Sequence, residues 1–239
     1  MMKRILRMPG STPTAAVKHD LGVVDLDLEV AMERILLASK ILQMEKTRIS
    51  RRLLTSMMEK RVPGFCTNLE ESLKVLGIDN ITQLNHLMDK RKYLKEAMVE
   101  QQRKRIVIEM SKGTKTDNFL TNFSYNGQVK DYLLKMPYEE ARIIFMWRSK
   151  MFPTKCNFPN RWSSSKLCEF CLRLDTDEHL LKCCGYMDLH QNKLNNQIFW
   201  TNGNDKDMEE LRSGARILQK IHERLLVINE ERNVQSNDS

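Results

Sequence analysis

With 239 residues the chain can bury a real core, as one large domain or two small ones. Nine glycines and six prolines are few, which favours helices, and no apolar run is long enough to span a bilayer. The net charge of +8 points to an anionic partner, with nucleic acid the first candidate, once its distribution along the chain is considered.

Near the start, Thr12 and Pro13 mark a helix beginning, since proline loses nothing in a first turn, and Gly22 marks its stop. From Asp27 the run DLEVAMERILLASKILQMEK places Val30, Ile35, Leu36, Leu37, Ile41, Leu42 and Met44 on a broad apolar face at helical spacing. Asp25 and Asp27 read as acids that complement the positive end of that helix. A second run through Ile49, Leu53, Leu54, Met57 and Met58 continues until Val62–Gly64 breaks it. Asn68 is the expected cap of a short helix ending near Gly77. A long helix is expected from about Ile81 to Met110. Its Lys90, Arg91, Lys92, Lys95, Arg103, Lys104 and Arg105 form either a solvated face with pairs along the helix or a stripe that follows phosphates. The loop at Ser111–Asn118 divides this helical region, residues 1–112, from a second region, 118–192.

Two helices are expected between Gln128 and Phe152, separated at Pro137. From Arg142 to Lys166 there are six basic residues and no acid. Arg148, Lys150, Lys155, Arg161 and Lys166 interleave with Trp147, Phe152, Phe158 and Trp162, a pattern suited to phosphate contact and base stacking. Arg148, Lys150, Lys155, Arg161, Trp162 and Lys166 are therefore the candidate nucleic-acid contacts. The bland reading is that the aromatics pack inward while the cations are solvated.

Four of the six cysteines and one of the five histidines then fall within seventeen residues, in LCEFCLRLDTDEHLLKCC. Cys168 and Cys171 form a C-x2-C knuckle whose sulfurs can reach one metal, and His179 with a later cysteine can close a tetrahedron. If a helix begins near His179, Cys183 shares its face; if the chain turns at Gly185, Cys184 folds back instead. Cys66 and Cys156 read as isolated small hydrophobes. The absence of an apolar leader predicts an intracellular protein, nuclear or cytoplasmic, so a disulfide framework is not expected. Residues 193–239 hold a polar tail and an amphipathic helix, Met208 to Ile228, with Leu211, Ala215, Leu218, Ile221 and Leu225 on one stripe. The fold class expected is mainly α: a helical connector, a small zinc-knuckle module and a C-terminal amphipathic helix.

The stretch RSKMFPTKCNFPNRWSSSKLCEFCLRLDTDEHLLKCCGY resembles the zinc-knuckle region that follows the polymerase in non-LTR (LINE-type) retrotransposon reverse transcriptases. That family carries C-x(1–3)-C-x(7–8)-H-x4-C after an arginine-rich approach, and the motif maps here onto Cys168, Cys171, His179 and Cys184. MPGSTPTAAVKHDLGVVDLDLEVAMERILLASKIL is similar to the segment after the polymerase thumb in the same proteins. The resemblance implies one structural zinc ion and a region that grips template RNA or target DNA, with a polymerase core as a partner in the parent polyprotein.

The polymerase itself is not expected in this chain. A palm needs adjacent aspartates to hold two magnesium ions, and there is no Asp-Asp dipeptide. No endonuclease constellation follows Cys184, and Glu209 and Glu210 read as first-turn acids of the tail helix. The reading is a non-enzymatic, nucleic-acid-binding C-terminal portion of such a polyprotein, without a membrane or small-molecule partner. The alternative is a helical scaffold protein whose metal only stabilises the fold.

Overall fold

The computed structural model describes residues 3, 6–113, 120–122, 124–158, 165–168, 170–182, 196–200 and 205–237. Every regular element among them is helical, and the described residues contain no β-strand, only one antiparallel bridge between Leu167 and Leu174. The helices are α1 (Thr14–Asp20), α2 (Leu26–Gln43), α3 (Ile49–Glu59), α4 (Phe65–Leu76), α5 (Lys90–Ser111), α6 (Asp131–Lys135), α7 (Tyr138–Arg148), α8 (Asp177–Leu180) and α9 (Asp205–Asn237). Two short 3₁₀ turns, Ile81–His86 and Asn196–Trp200, lie between them. The chain forms two compact units: a first of residues 1–21, 110–124 and 129–239, and a second of residues 22–109 and 125–128.

In the second unit α2 packs on α4, and its buried face carries Leu28, Ala31, Met32, Ile35 and Ala38. Of the face expected, Ile35 is buried and Leu36, Ile41 and Leu42 pack against the core, while Val30 and Leu37 are exposed and two alanines sit inside. Small side chains let the α2 and α4 backbones approach, and Arg34 clasps the pair by donating to Ser72 Oγ at 2.7 Å and the Asn68 carbonyl at 3.0 Å. Helix α4 begins at Phe65, so Asn68 lies inside its first turn and is not its cap. Its end follows expectation. Gly77 is left-handed at φ 70°, and the Ile78 N–H returns to the Leu73 carbonyl at 2.9 Å, with both side chains in the core.

The long helix expected from Ile81 is divided. Asn80 caps the 3₁₀ turn by accepting from the Thr82 N–H at 3.0 Å, and Asp89 accepts from the Lys92 N–H at 2.9 Å to open α5 afresh. These two local acceptors compete with a continuous helix and win. Asp27 and Asp25 sit at the start of α2 as expected, and both also face Arg105 of α5, at 2.7 and 3.5 Å.

In the first unit α7 packs against α9, which buries Leu211, Ala215, Leu218, Ile221 and Leu225 as the sequence pattern required. Trp147 forms the aromatic centre, with Phe152 and Phe199 each 5.4 Å away by ring centroid. Its indole N–H donates to Asn196 Oδ1 at 3.0 Å.

Beside this core lies a buried ionic cluster. Asp20, fully buried at the end of α1, accepts from Arg148 Nη2 at 3.1 Å, from His19 Nδ1–H at 2.7 Å and from the Tyr132 hydroxyl. Its backbone carbonyl takes the Lys130 N–H at 2.8 Å. The Arg148 guanidinium also lies over the Tyr132 and Trp200 rings, 5.2 and 4.8 Å from their centroids.

Burial alone would raise the Asp20 pKa, but Arg148, then His19 and Tyr132, outweigh it and hold the carboxyl below its ordinary value. Burial lowers the His19 pKa against the pull of Asp20, so the ring is neutral. Both groups work in one direction. The Asp20 contribution is present above the ordinary carboxylate pKa and is lost as pH falls through its folded value. His19 adds a penalty below about pH 6.5, where the unfolded chain binds a proton the folded chain refuses. Stability should therefore fall below about pH 6.5 as the His19 penalty sets in, and fall again below about pH 4 as Asp20 takes its proton. Asp20→Asn should cost roughly 3–5 kcal/mol by removing the carboxylate that answers the buried Arg148 charge, and it should abolish the loss below about pH 4 while the His19 penalty remains. Urea unfolding across pH measures both, and an Asp20→Asn variant as stable as the parent would remove the cluster from this role.

Candidate metal centre

The segment from Lys166 to Asp175 turns back on itself tightly. The Cys168 N–H donates to the Arg173 carbonyl at 2.6 Å, the Leu172 N–H to the Cys168 carbonyl at 2.9 Å, and the Asp175 N–H to the Lys166 carbonyl at 2.9 Å. Leu172 adopts a left-handed backbone at φ 58°, the local strain that lets Cys168 and Cys171 face one point. Helix α8 follows, a single turn capped by Thr176, whose Oγ1 accepts from the His179 N–H at 3.1 Å. That cap aims the imidazole at the knuckle.

Cys171 Sγ is 3.2 Å from His179 Nε2. The donor atoms of Cys168, Cys171 and His179 all lie within 4.8 Å of one another, so this group can hold one metal ion. Cys168 is buried, and Cys171 and His179 are partly so. Burial, aided by Arg173 and opposed by Asp175, lowers the His179 pKa, which leaves the ring neutral and its lone pair available near pH 7. Cys183 and Cys184, the two candidates for a fourth donor, lie outside the described residues.

The segment before the knuckle braces it. Asp175, buried, accepts from the Lys155 N–H at 2.8 Å, and its carbonyl takes the Cys156 N–H at 3.2 Å. The Asn157 side-chain amide donates to Asp177 Oδ1 at 2.8 Å and to the Phe152 carbonyl at 2.9 Å. Burial pushes the Asp177 carboxyl up to about 7, against the Asn157 hydrogen bond and Lys150. Cys156 is not among the donors; burial and the Asp175 charge raise its thiol pKa, as suits an inert packing residue.

The candidate nucleic-acid contacts are scattered. Arg148 is 2% exposed and bound to Asp20, so it is not on the surface where the basic run placed it. Lys155 is 8% exposed, and its ammonium donates to the Leu167 carbonyl at 2.8 Å. Lys150 is half-buried at a left-handed turn, φ 50°. Lys166 is exposed on the hairpin, while Arg161 and Trp162 lie outside the described residues. Sequence reasoning passed over the hairpin itself, which exposes Leu167, Phe170, Leu172 and Leu174. Leu172 is 74% and Phe170 42% exposed. Arg173 on the hairpin and Lys182 after α8 are exposed cations. The available signal was a run of large apolar residues inside a turn too short to bury them.

Comparison with protein-family models, curated proteins and solved structures gives no match in any of the three.

The donor geometry makes a direct forecast. The purified chain should carry one tightly held metal ion, and Cys171→Ser or His179→Ala should each reduce that content severely. Because binding and folding of such a site are linked, a chelator should loosen the first unit before the second. Elemental analysis with hydrogen exchange reads both, and full metal content in the Cys171→Ser variant would refute the assignment.

Proposed function

We propose that the protein binds nucleic acid through a hairpin clamped by one structural zinc ion, and that the chain is the C-terminal portion of a non-LTR retrotransposon reverse transcriptase without its polymerase core. One observation carries the reading: two cysteine sulfurs and an imidazole converge on a hairpin that displays large apolar side chains next to cations. Soft thiolate donors with imidazole suit zinc over hard cations. Bonds of about 2.0–2.3 Å in a tetrahedron space their donors roughly 3.6–3.8 Å apart, which the observed group accommodates. With Cys184 as the fourth donor, in the order the family resemblance gives, no position is left for an activated water, so zinc serves the fold.

An apolar platform edged by positive charge fits single-stranded nucleic acid: bases stack on the exposed side chains and phosphates meet the cations. Phe170 supplies the aromatic face, with Arg224 5.8 Å from its centroid on the first unit itself. Lys166, Arg173 and Lys182 supply charge. The competing reading, a helical scaffold with a purely structural metal, draws on the burial of Arg148 and Lys155, which removes two of the cations first counted toward phosphate.

Fluorescence anisotropy with labelled single and double strands separates the two readings. Phe170→Ala should cost on the order of 1–3 kcal/mol on single strands and much less on duplex. Parent affinity weaker than about 100 μM at physiological salt would leave the scaffold reading.

A further inference from the structure

The second unit carries two basic helices whose charges have different fates. In α5, Arg91 pairs with Glu33 at 3.0 Å, Arg103 and Lys104 with Glu100 at 3.0 and 4.0 Å, and Arg105 with Asp27 at 2.7 Å. Lys90 donates to Ser39 Oγ at 3.1 Å. The stripe that looked ready for phosphate is largely absorbed by its own unit.

Around α3 the charge is not absorbed. From Lys46 to Arg61 there are six basic residues and one acid, Glu59. Among the described residues the side chains of Lys46, Arg48, Arg52, Lys60 and Arg61 make no hydrogen bond or ion pair, and the Arg51 side chain reaches only the Met44 carbonyl. Glu45, just before the run, takes the Thr47 hydroxyl and pairs with no arginine. Lys60 and Arg61 follow the end of α3, where cations complement the helix dipole. Arg48 and Arg51 do the reverse: they stand at its start, which has no acid in the first turn, so they oppose the dipole and do not stabilise the helix.

A cleft of about 350 Å³ opens on this face, lined by Lys46, Arg51, Arg52, Thr55, Ser56 and Glu59. Guanidinium forks and two hydroxyls are donors suited to phosphate oxygens. Glu59 is two helical turns from Arg52, roughly 10 Å along the axis, and does not answer that charge.

We infer that the α3 cleft is a second nucleic-acid contact, a phosphodiester-binding surface on the unit that lacks the metal centre. The identity of the ligand rests on the proposed function; the anion preference rests on the unanswered cations. A lipid surface fits less well. Ile49 and Leu53 are exposed beside the arginines, but two apolar residues do not make the broad face a membrane-bound helix buries, and Leu54 packs into the unit's core.

The test uses the full, metal-loaded chain with labelled single and double strands across a salt series. Lys46→Gln/Arg52→Gln should lower the slope of log affinity against log salt by about 1.4 on single strands and 1.8 on duplex. Arg52→Lys should keep the parent slope, and Arg103→Gln/Lys104→Gln on α5 should leave it unchanged. If the α3 glutamine variant keeps the parent slope while Lys166→Gln/Arg173→Gln lowers it, the α3 inference fails and the hairpin reading stands. If the parent chain binds neither strand, both fail. If the glutamine pair instead abolishes binding to 3:1 phosphatidylcholine–phosphatidylserine vesicles with the nucleic-acid slope intact, the cleft belongs to membranes and the inference is overturned. A slope lost equally in the lysine variant would mark a structural role and overturn it as well.

Discussion

Asp20 has no exposed surface, and a carboxylate so placed is compatible with a folded chain only when its charge is answered nearby. Arg148, His19 and Tyr132 answer it, and its backbone carbonyl holds Lys130. Four segments of the first unit, α1, the entry to α6, α6 itself and the end of α7, are thereby tied to one residue. The position of α7 then sets the rest, because its Trp147 anchors Phe152, Phe199 and the Asn196 turn, and α9 lies along the same helix. Hydrophobic burial supplies most of the stabilisation in such a core. The ion cluster contributes something different: it admits few alternative packings, since any shift of α7 would strand a buried charge.

The knuckle solves a separate problem. Residues 166–175 expose Leu167, Phe170, Leu172 and Leu174, and an apolar hairpin with no sheet behind it has little reason to keep its shape. A metal held by Cys168, Cys171 and His179 would supply that reason, and the brace from Asp175 to Lys155 and from Asp177 to Asn157 fixes the orientation of the turn. Among the described residues of the basic run before the knuckle, Arg148 and Lys155 have structural partners. Lys155 holds the hairpin through the Leu167 carbonyl, whereas Arg148 is buried against Asp20.

Local chemistry was legible in the sequence and long-range pairing was not. The helical class, the α9 stripe, the left-handed stop at Gly77 and the grouping of Cys168, Cys171 and His179 all follow from spacing within a few residues. Val30 and Leu37 fall outside the buried face of α2 because periodicity weighs large apolar side chains, whereas packing against α4 favoured Ala31 and Ala38. The burial of Arg148 was invisible because its partner, Asp20, lies far upstream. The long helix from Ile81 was overdrawn because Asn80 and Asp89 were not weighed as caps. Residues 1–21 and the tail helix belong to the same compact unit as the knuckle, a pairing that spans most of the chain's length.

The central claim is that Cys168, Cys171 and His179 close on one zinc ion. X-ray absorption at the zinc edge of the purified full-length chain examines that donor set directly. The account predicts a four-coordinate shell dominated by sulfur at about 2.3 Å with nitrogen at about 2.0–2.1 Å. A shell of oxygen and nitrogen without sulfur would contradict it.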